Sequence, residues 1–378
     1  MTQSVSIDSD PYLLTPGPLT TSLSVKQAML HDYGSRDTRF IDINQRVLDR
    51  LVDIIAGRDS HVCVPLQGSG TFVVEAMLSN FVPKDGRLLI LINGAYGTRM
   101  VTICDYHNIP HDNLSWREHE PIDPAMVDEY LSKNPLITHV AVVHCETTTG
   151  IKNPLEEISA VVARHQRRLL IDSMSAFGAL PLEVGRVTFD AVVASSNKCL
   201  EGVPGMGFCL AEKHALEGTE GNSDSLCFDL YAQHRAMESN GQWRFTPPTH
   251  CILAFDQALT EFEAEGGVKG RGGRYQHNCD LLTSGMRAMG FETLLPDSLQ
   301  APIIVTFVMP ADPNFIFQSF YDGLAERGYV IYPGKLTEVD SFRMGCIGRL
   351  DETHMRGAIT AVTEVLATMG VTSGAPSQ

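Results

Sequence analysis

The chain has 378 residues, 43% of them hydrophobic and 20% charged, and a formal net charge of −16 at pH 7. That length suits a large core with a smaller one beside it, and the hydrophobic share excludes wholesale disorder. The acidity excludes nucleic acid and anionic membranes as general partners, so any anionic ligand must be met by a local group of arginines and backbone donors. The nine cysteines show no Cys-x-x-Cys spacing and read as reduced core residues, not as a disulfide frame or a metal site. No secretory leader precedes Pro11 and no apolar run reaches membrane length, so the expected location is the cytoplasm.

Residues 1–24 read as an N-terminal arm. Within it, Pro16 and Pro18 flank Gly17 and fix an extended path, either as a plain arm or with amides free to meet a ligand. Ser24 is expected to cap a short helix over 25–30. The polar loop 31–40 carries Arg36 and Arg39, and a helix over 41–56 carries Arg50. Arginine forks match carboxylate and phosphonate oxygens, which makes these three candidate anion ligands.

Residues 61–67 read as a strand, followed at once by Gly68-Ser-Gly-Thr71 and a helix over 72–81. A glycine turn between strand and helix presents free amides and a dipole to an anion, with hydroxyls from Ser69 and Thr71. It is neither G-x-G-x-x-G nor a P-loop, so one small phosphate suits it better than a dinucleotide. Strand 87–92 ends in Asn93-Gly-Ala-Tyr-Gly97, where Tyr96 can stack on a flat ring. Strand 138–144 ends in the hydroxyl-rich run that holds Thr148. Strand 168–172 closes on Asp172, either a loop cap or an acid facing the crevice at the strand ends.

The run 189–194 is another buried strand. It ends in Ser195, Ser196 and Asn197, then Lys198, before Gly202-Val-Pro-Gly205 turns the chain back. A lysine nucleophile works only when deprotonated or already held as an imine, and a strand end lined with small polar residues suits that. Beyond it come a helix over 224–238, a rigid piece over 242–250 presenting Thr246, a helix over 251–265, and a glycine-rich bend over 266–273. The order β-α-β-β-α after residue 294 reads as a smaller α+β unit, with Arg343 in an apolar strand. The expected division is a large domain over 25–270, a small one over 271–370 and a disordered tail over 371–378.

Together these pieces give a mostly parallel seven-stranded α/β sheet whose crevice gathers a phosphate turn, an aromatic, a hydroxyl, an acid and a lysine. The stretches LLTPGPLTTS, QGSGTF, NGAYGTRM, HCETTTG, IDSMSAFGALP, SSNKCLEGVPG, WRFTPPTH, IYPGK and FRMGCIG resemble the class V, fold-type I aminotransferases of pyridoxal phosphate over nearly the whole chain. The resemblance implies roles residue by residue. Lys198 matches the Schiff-base lysine and Asp172 the partner of the pyridinium nitrogen. Ser69, Gly70 and Thr71 match phosphate ligands, and Thr148 a hydroxyl beside the ring. Tyr96 matches the stacking aromatic, Ser195 a cofactor neighbour, and Thr246 the threonine given by the second subunit of a homodimer with shared sites. Gly17 and Arg343 match substrate contacts, Arg343 for a carboxylate, with no metal.

The activity it implies is transfer of the amino group of 2-aminoethylphosphonate to pyruvate, giving phosphonoacetaldehyde and L-alanine. The alternatives on the same scaffold are an alanine or serine–glyoxylate exchange, or a related aminophosphonate donor. One stretch departs from the pattern. Relatives carry a tryptophan and acidic residues near position 36, whereas this chain reads Gly34-Ser-Arg-Asp-Thr-Arg-Phe40. The extra arginines would favour a bulkier or more anionic donor.

Overall fold

The computed structural model describes residues 10–334 and 338–377. Lys335, which ends one of the stretches quoted above, lies outside them, as do residues 1–9 of the arm and Gln378.

The centre is a seven-stranded sheet. Its order across is His61–Gly68, Gly205–Glu212, Ala191–Ser195, Arg168–Asp172, His139–Val143, Leu88–Ile92 and His111–Ser115. All neighbours are parallel except Gly205–Glu212, which runs antiparallel to both of its partners. The strands read as continuous apolar runs because both faces are covered. Alternate residues supply separate cores: Leu89, Leu91, Val140 and Val142 go to one face. Leu88, Ile90, Ala141 and Val143 go to the other. The strand 111–115 escapes a sequence reading because it is a polar edge strand paired on one side only.

Helix starts follow local caps more than apolar periodicity. Ser22, not Ser24, caps Leu23–Ala28 through a 3.2 Å bond from Val25 N. Ser24 turns its hydroxyl to Glu261 instead. Asp37 caps Thr38–Ile54, so that helix begins before residue 41. Asp229 caps Leu230–Asn240, so the helix expected from 224 starts six residues later. The glycine-rich stretch 266–273 bends the chain only at its start, where Gly266 (φ 100°) and Gly267 (φ 64°) turn it out of Thr249–Ala264; from Gly267 it is the first part of the next helix, Gly267–Ala288. Its glycines allow close approach: a Cβ at Gly270 would strike the Glu265 carbonyl, and one at Gly272 the Ala179 carbonyl. A boundary at 270 therefore falls inside a continuous helix.

A second sheet of three antiparallel strands, Ile304–Val308, Ser341–Gly345 and Tyr332–Pro333, packs with Phe317–Glu326 and Glu352–Met369 around its own core. The N-terminal arm joins that unit. Tyr12–Leu13 pairs in parallel with Tyr329–Val330, Leu14 is buried, and Gly345 N donates to the Leu14 carbonyl at 2.9 Å. Residues 371–377, expected to be a disordered tail, lie against this core. Gly374 N donates to Met289 O at 2.9 Å and Ala311 N to Ala375 O at 2.8 Å.

Candidate active site

A cavity of about 500 Å³ opens at the carboxyl ends of the parallel strands. Lys198 stands in its wall on the loop after Ala191–Ser195. Ser196 fixes that loop by giving its hydroxyl proton to Val203 O at 2.6 Å. Glu201 holds a left-handed φ of 58° on the far side of the turn. The Lys198 Nζ donates to the Pro16 carbonyl at 2.7 Å. Burial lowers its pKa to about 8, aided by the charges of Arg99 and Arg343 and opposed by Cys199 and Asp172. The neighbouring Gly17 has φ 122°, and a Cβ there would lie 2.6 Å from Nζ, so only glycine fits beside this amine.

Asp172 ends its strand at the same cavity and is 4% exposed. Burial raises its pKa to about 6, although Met174 N donates to Oδ1 at 2.9 Å and the charges of Arg99 and Lys198 favour ionisation. Among the described residues that amide is its one hydrogen-bond donor. A buried carboxylate so poorly served is ready for an incoming N–H. Ser195 lines the cavity and gives its hydroxyl proton to Asn197 Oδ1 at 2.9 Å.

The turn Ser69–Gly70–Thr71 forms another wall. Ser69 starts Gly70–Phe81 but makes no side-chain cap bond, so its hydroxyl and the first helix amides are available to a ligand. A Cβ at Gly70 would strike Met174 Sδ, a second wall residue. Tyr96 also lines the cavity, on the first turn of Ala95–His107. That helix is capped from outside its own sequence. Fully buried Glu146 accepts Tyr96 N at 3.2 Å and Gly97 N at 3.4 Å through Oε2, and burial raises its pKa.

Other residues expected at the site are placed differently. Thr148 is fully buried one layer back, giving its hydroxyl proton to Glu146 Oε1 at 2.6 Å and accepting Ala95 N at 2.9 Å. Of the run Thr147–Thr149, it is Thr147 that lines the cavity. Arg343 is 5% exposed and stands behind Thr147, donating to its carbonyl at 2.9 Å and to Pro333 O at 3.1 Å. Among the described residues no carboxylate bonds it, so the anionic protein partner that an arginine in an apolar strand suggests is not found among them. Arg50 is not available as an anion ligand: it holds Asp256 Oδ1 and Glu263 Oε1, each at 3.1 Å, where its helix packs on Thr249–Ala264. Arg36 and Arg39 are exposed and outside the cavity wall, Arg39 lying over the Tyr33 ring at 5.1 Å. Thr246 is exposed and also outside that wall.

Sequence reasoning passed over three features. Arg99 lines the cavity, and its spacing of three from Tyr96 on one helix was the available signal. Glu146 gives no signal, because capping a helix far along the chain has no periodicity. The third is a buried cluster behind Lys198. There Glu201 accepts Tyr275 OH at 2.6 Å and Arg274 Nη2 at 2.7 Å, and Arg271 Nη1 donates to Cys199 O at 2.6 Å. Arg274 continues to the carbonyls of Gly348 and Leu350 at 2.6 and 2.7 Å, tying the lysine loop to the segment after Arg343.

Residues 34–314 match the family model described as aminotransferase class-V. Among curated relatives, the 2-aminoethylphosphonate–pyruvate transaminase of Cupriavidus necator is 52% identical over 97% of this chain and 98% of its own. The enzyme of the same name from Pseudomonas aeruginosa is 51% identical over 96% and 97%. Among solved structures, ureidoglycine–glyoxylate aminotransferase of Bacillus subtilis superposes with a TM-score of 0.87 over 95% of this chain and 94% of its own, at 22% identity. Pyridoxamine–pyruvate aminotransferase of Mesorhizobium loti gives 0.87 over 97% and 96%, at 23% identity. These structural likenesses show the fold.

Proposed function

Since the chain belongs to the class-V aminotransferase family, we propose that it moves the amino group of 2-aminoethylphosphonate to pyruvate, giving phosphonoacetaldehyde and L-alanine. The observation that carries this reading is the identity of about half the residues, over nearly full length, to transaminases of that name. Incubating the purified protein with both substrates and following alanine and the aldehyde tests it. Alanine or serine with glyoxylate serves as the competing pair, and faster turnover of that pair refutes the reading.

Pyridoxal 5′-phosphate is the family's cofactor, and the cavity suits it on three counts. It has an amine in the wall, a buried carboxylate short of donors, and a helix start whose serine hydroxyl is unused. When bound, the cofactor supplies an electron-accepting ring on which an amino group can be exchanged. Lys198 would hold its aldehyde end, Asp172 its ring nitrogen, and Ser69, Gly70 and Thr71 its phosphate, with Tyr96 against the ring.

In this reading Lys198 Nζ is the general base and acid. It takes the proton from the amine-bearing carbon of the donor and delivers one to the 2-carbon of the acceptor in the return half. A pKa near 8 leaves part of the amine unprotonated at neutral pH, which that role requires. Arg343 offers the N–H groups not spent on carbonyls to the carboxylate of pyruvate. The wall of Gly17 and Pro16 limits the space on the lysine side.

The same proposal includes a homodimer with shared sites and a cytoplasmic location. Supporting the dimer, Thr246 is exposed and Phe245, Phe72 and Leu226 are 49%, 46% and 67% exposed. Among the described residues, no helix is long and apolar enough to cross a membrane. Mixing Lys198→Ala and Thr246→Ala chains tests sharing: hybrid dimers should regain one intact site. No recovery above the two parents sinks it.

A further inference from the structure

Arg99 is the one arginine, among the described residues, in the wall of the cavity. Its guanidinium lies 4.7 Å over the Tyr96 ring and gives one hydrogen bond, from Nη1 to Thr71 Oγ1 at 3.0 Å. No carboxylate reaches ion-pair distance of it among the described residues, in contrast to Arg50, Arg271 and Arg274, each tied to acids. A guanidinium has five N–H donors in a fork that matches oxyanions, and among the described residues a single one is spent here, on a neutral hydroxyl.

Two helices begin at this cavity, and they differ. The start of Gly70–Phe81 is open, with Ser69 uncommitted. The start of Ala95–His107 is already filled by the Glu146 carboxylate. The second helix therefore offers an anion no free amides, and on its side of the cavity the positive charge comes from Arg99. The bond to Thr71 sets that charge beside the open helix start.

We propose that Arg99 is a ligand for a tetrahedral phosphorus oxyanion in this cavity, contributed either by the cofactor's phosphate or by the donor's phosphonate. The proposal rests on the function given above for the presence of those two anions. It differs from the role of Arg343, which serves a planar carboxylate from behind Thr147.

The test uses full-length protein stripped of cofactor, carrying Arg99→Gln or Arg99→Lys, with folding checked by circular dichroism. Affinities for pyridoxal 5′-phosphate and for pyridoxal, which lacks the phosphate, are read by absorbance titration. KM values for 2-aminoethylphosphonate and pyruvate are read on protein saturated with cofactor. If Arg99 holds the cofactor's phosphate, Arg99→Gln weakens pyridoxal 5′-phosphate roughly 10- to 100-fold and leaves pyridoxal unchanged. If it holds the phosphonate, cofactor affinity stays and KM for 2-aminoethylphosphonate rises by a similar factor while that for pyruvate does not. Arg99→Lys, which keeps the charge and loses the fork, should fall between, and it carries the test should the glutamine chain fail to fold. Unchanged values throughout, or equal losses for pyridoxal and pyruvate, overturn the proposal. Wild-type protein inactive on 2-aminoethylphosphonate, with the loss for pyridoxal 5′-phosphate still selective, refutes the donor assignment and leaves Arg99 as an anion ligand.

Discussion

Lys198 Nζ and the carbonyl oxygen of Pro16 are 2.7 Å apart although the residues are separated by 182 positions in the chain. The contact sets an amine against the one segment of the arm where glycine leaves room for it. An uncharged amine can make that bond as well as an ammonium, so the contact positions Nζ without demanding a charge.

Replacing that amine is the most direct experiment. Lys198→Ala should bind pyridoxal 5′-phosphate without any borohydride-reducible link to the chain, seen as no mass increase after reduction. Transamination should fall by about 10²- to 10⁴-fold, the usual contribution of a positioned base. A reduced adduct on another lysine would refute the assignment.

The lowered pKa of Lys198 predicts a pH dependence. In the cofactor-free protein, pyridoxal should attach to Lys198 faster as pH rises, with the rate levelling off above about 8. An ordinary lysine would go on gaining until past 10. The stability effect has a definite sign. The unfolded chain holds its lysine proton up to a higher pH, so this group's penalty on folding is full below about 8 and is relieved as pH climbs beyond it. A rate that still rises at pH 10 contradicts the buried placement.

Asp172 runs the other way. Its pKa is raised to about 6 by burial, so the folded protein holds a proton there that the unfolded chain has lost. Between roughly pH 4 and 6 this group makes the cofactor-free fold less stable as pH rises, by on the order of 3 kcal/mol in all. Asp172→Asn should therefore melt above wild type at pH 7 without cofactor, and the gap should close near pH 4. The same change should depress transamination, since a neutral amide cannot hold the ring nitrogen protonated. A variant that melts lower at pH 7 counts against an unsatisfied carboxylate.

Gly17→Ala adds one carbon where Lys198 Nζ stands and forces a side chain onto φ 122°. Strain of about 1–3 kcal/mol is expected, together with a displaced lysine. Calorimetry should show the destabilisation, and the rate of pyridoxal attachment should fall at least tenfold. Normal attachment with normal melting would show that the arm can move aside.

Glu201→Ala removes the shared acceptor of Arg274 and Tyr275 and leaves buried cations poorly matched. The cost should be about 3–5 kcal/mol, the range for breaking a buried pair. Chemical denaturation measures it. A loss under 1 kcal/mol would mean that Glu265 takes over the pairing.

Much of the fold can be read from the sequence because both faces of the sheet are buried. Runs such as 88–92 and 139–143 are apolar throughout and announce their strands. The polar edge strand 111–115 announces nothing, and of the glycines in 266–273 only Gly266 and Gly267 make a break while Gly270 and Gly272 serve helix packing. At the site, Lys198, Asp172, Ser69, Gly70, Thr71, Tyr96 and Gly17 end strands, start helices or sit on special turns, and they meet at one cavity. Arg50 misled because charge on a helix does not reveal whether acids stand opposite. Arg99 and Glu146 were overlooked since their importance comes from partners brought close only by folding.

The arm that touches the lysine precedes the central sheet in the chain, yet its strand partner, Tyr329–Val330, follows that sheet. A nascent chain can therefore assemble the central sheet and still lack the floor of its reaction chamber. A fragment cut short before Tyr329–Val330 would lack the pairing that anchors the arm against Lys198, and it should be catalytically silent.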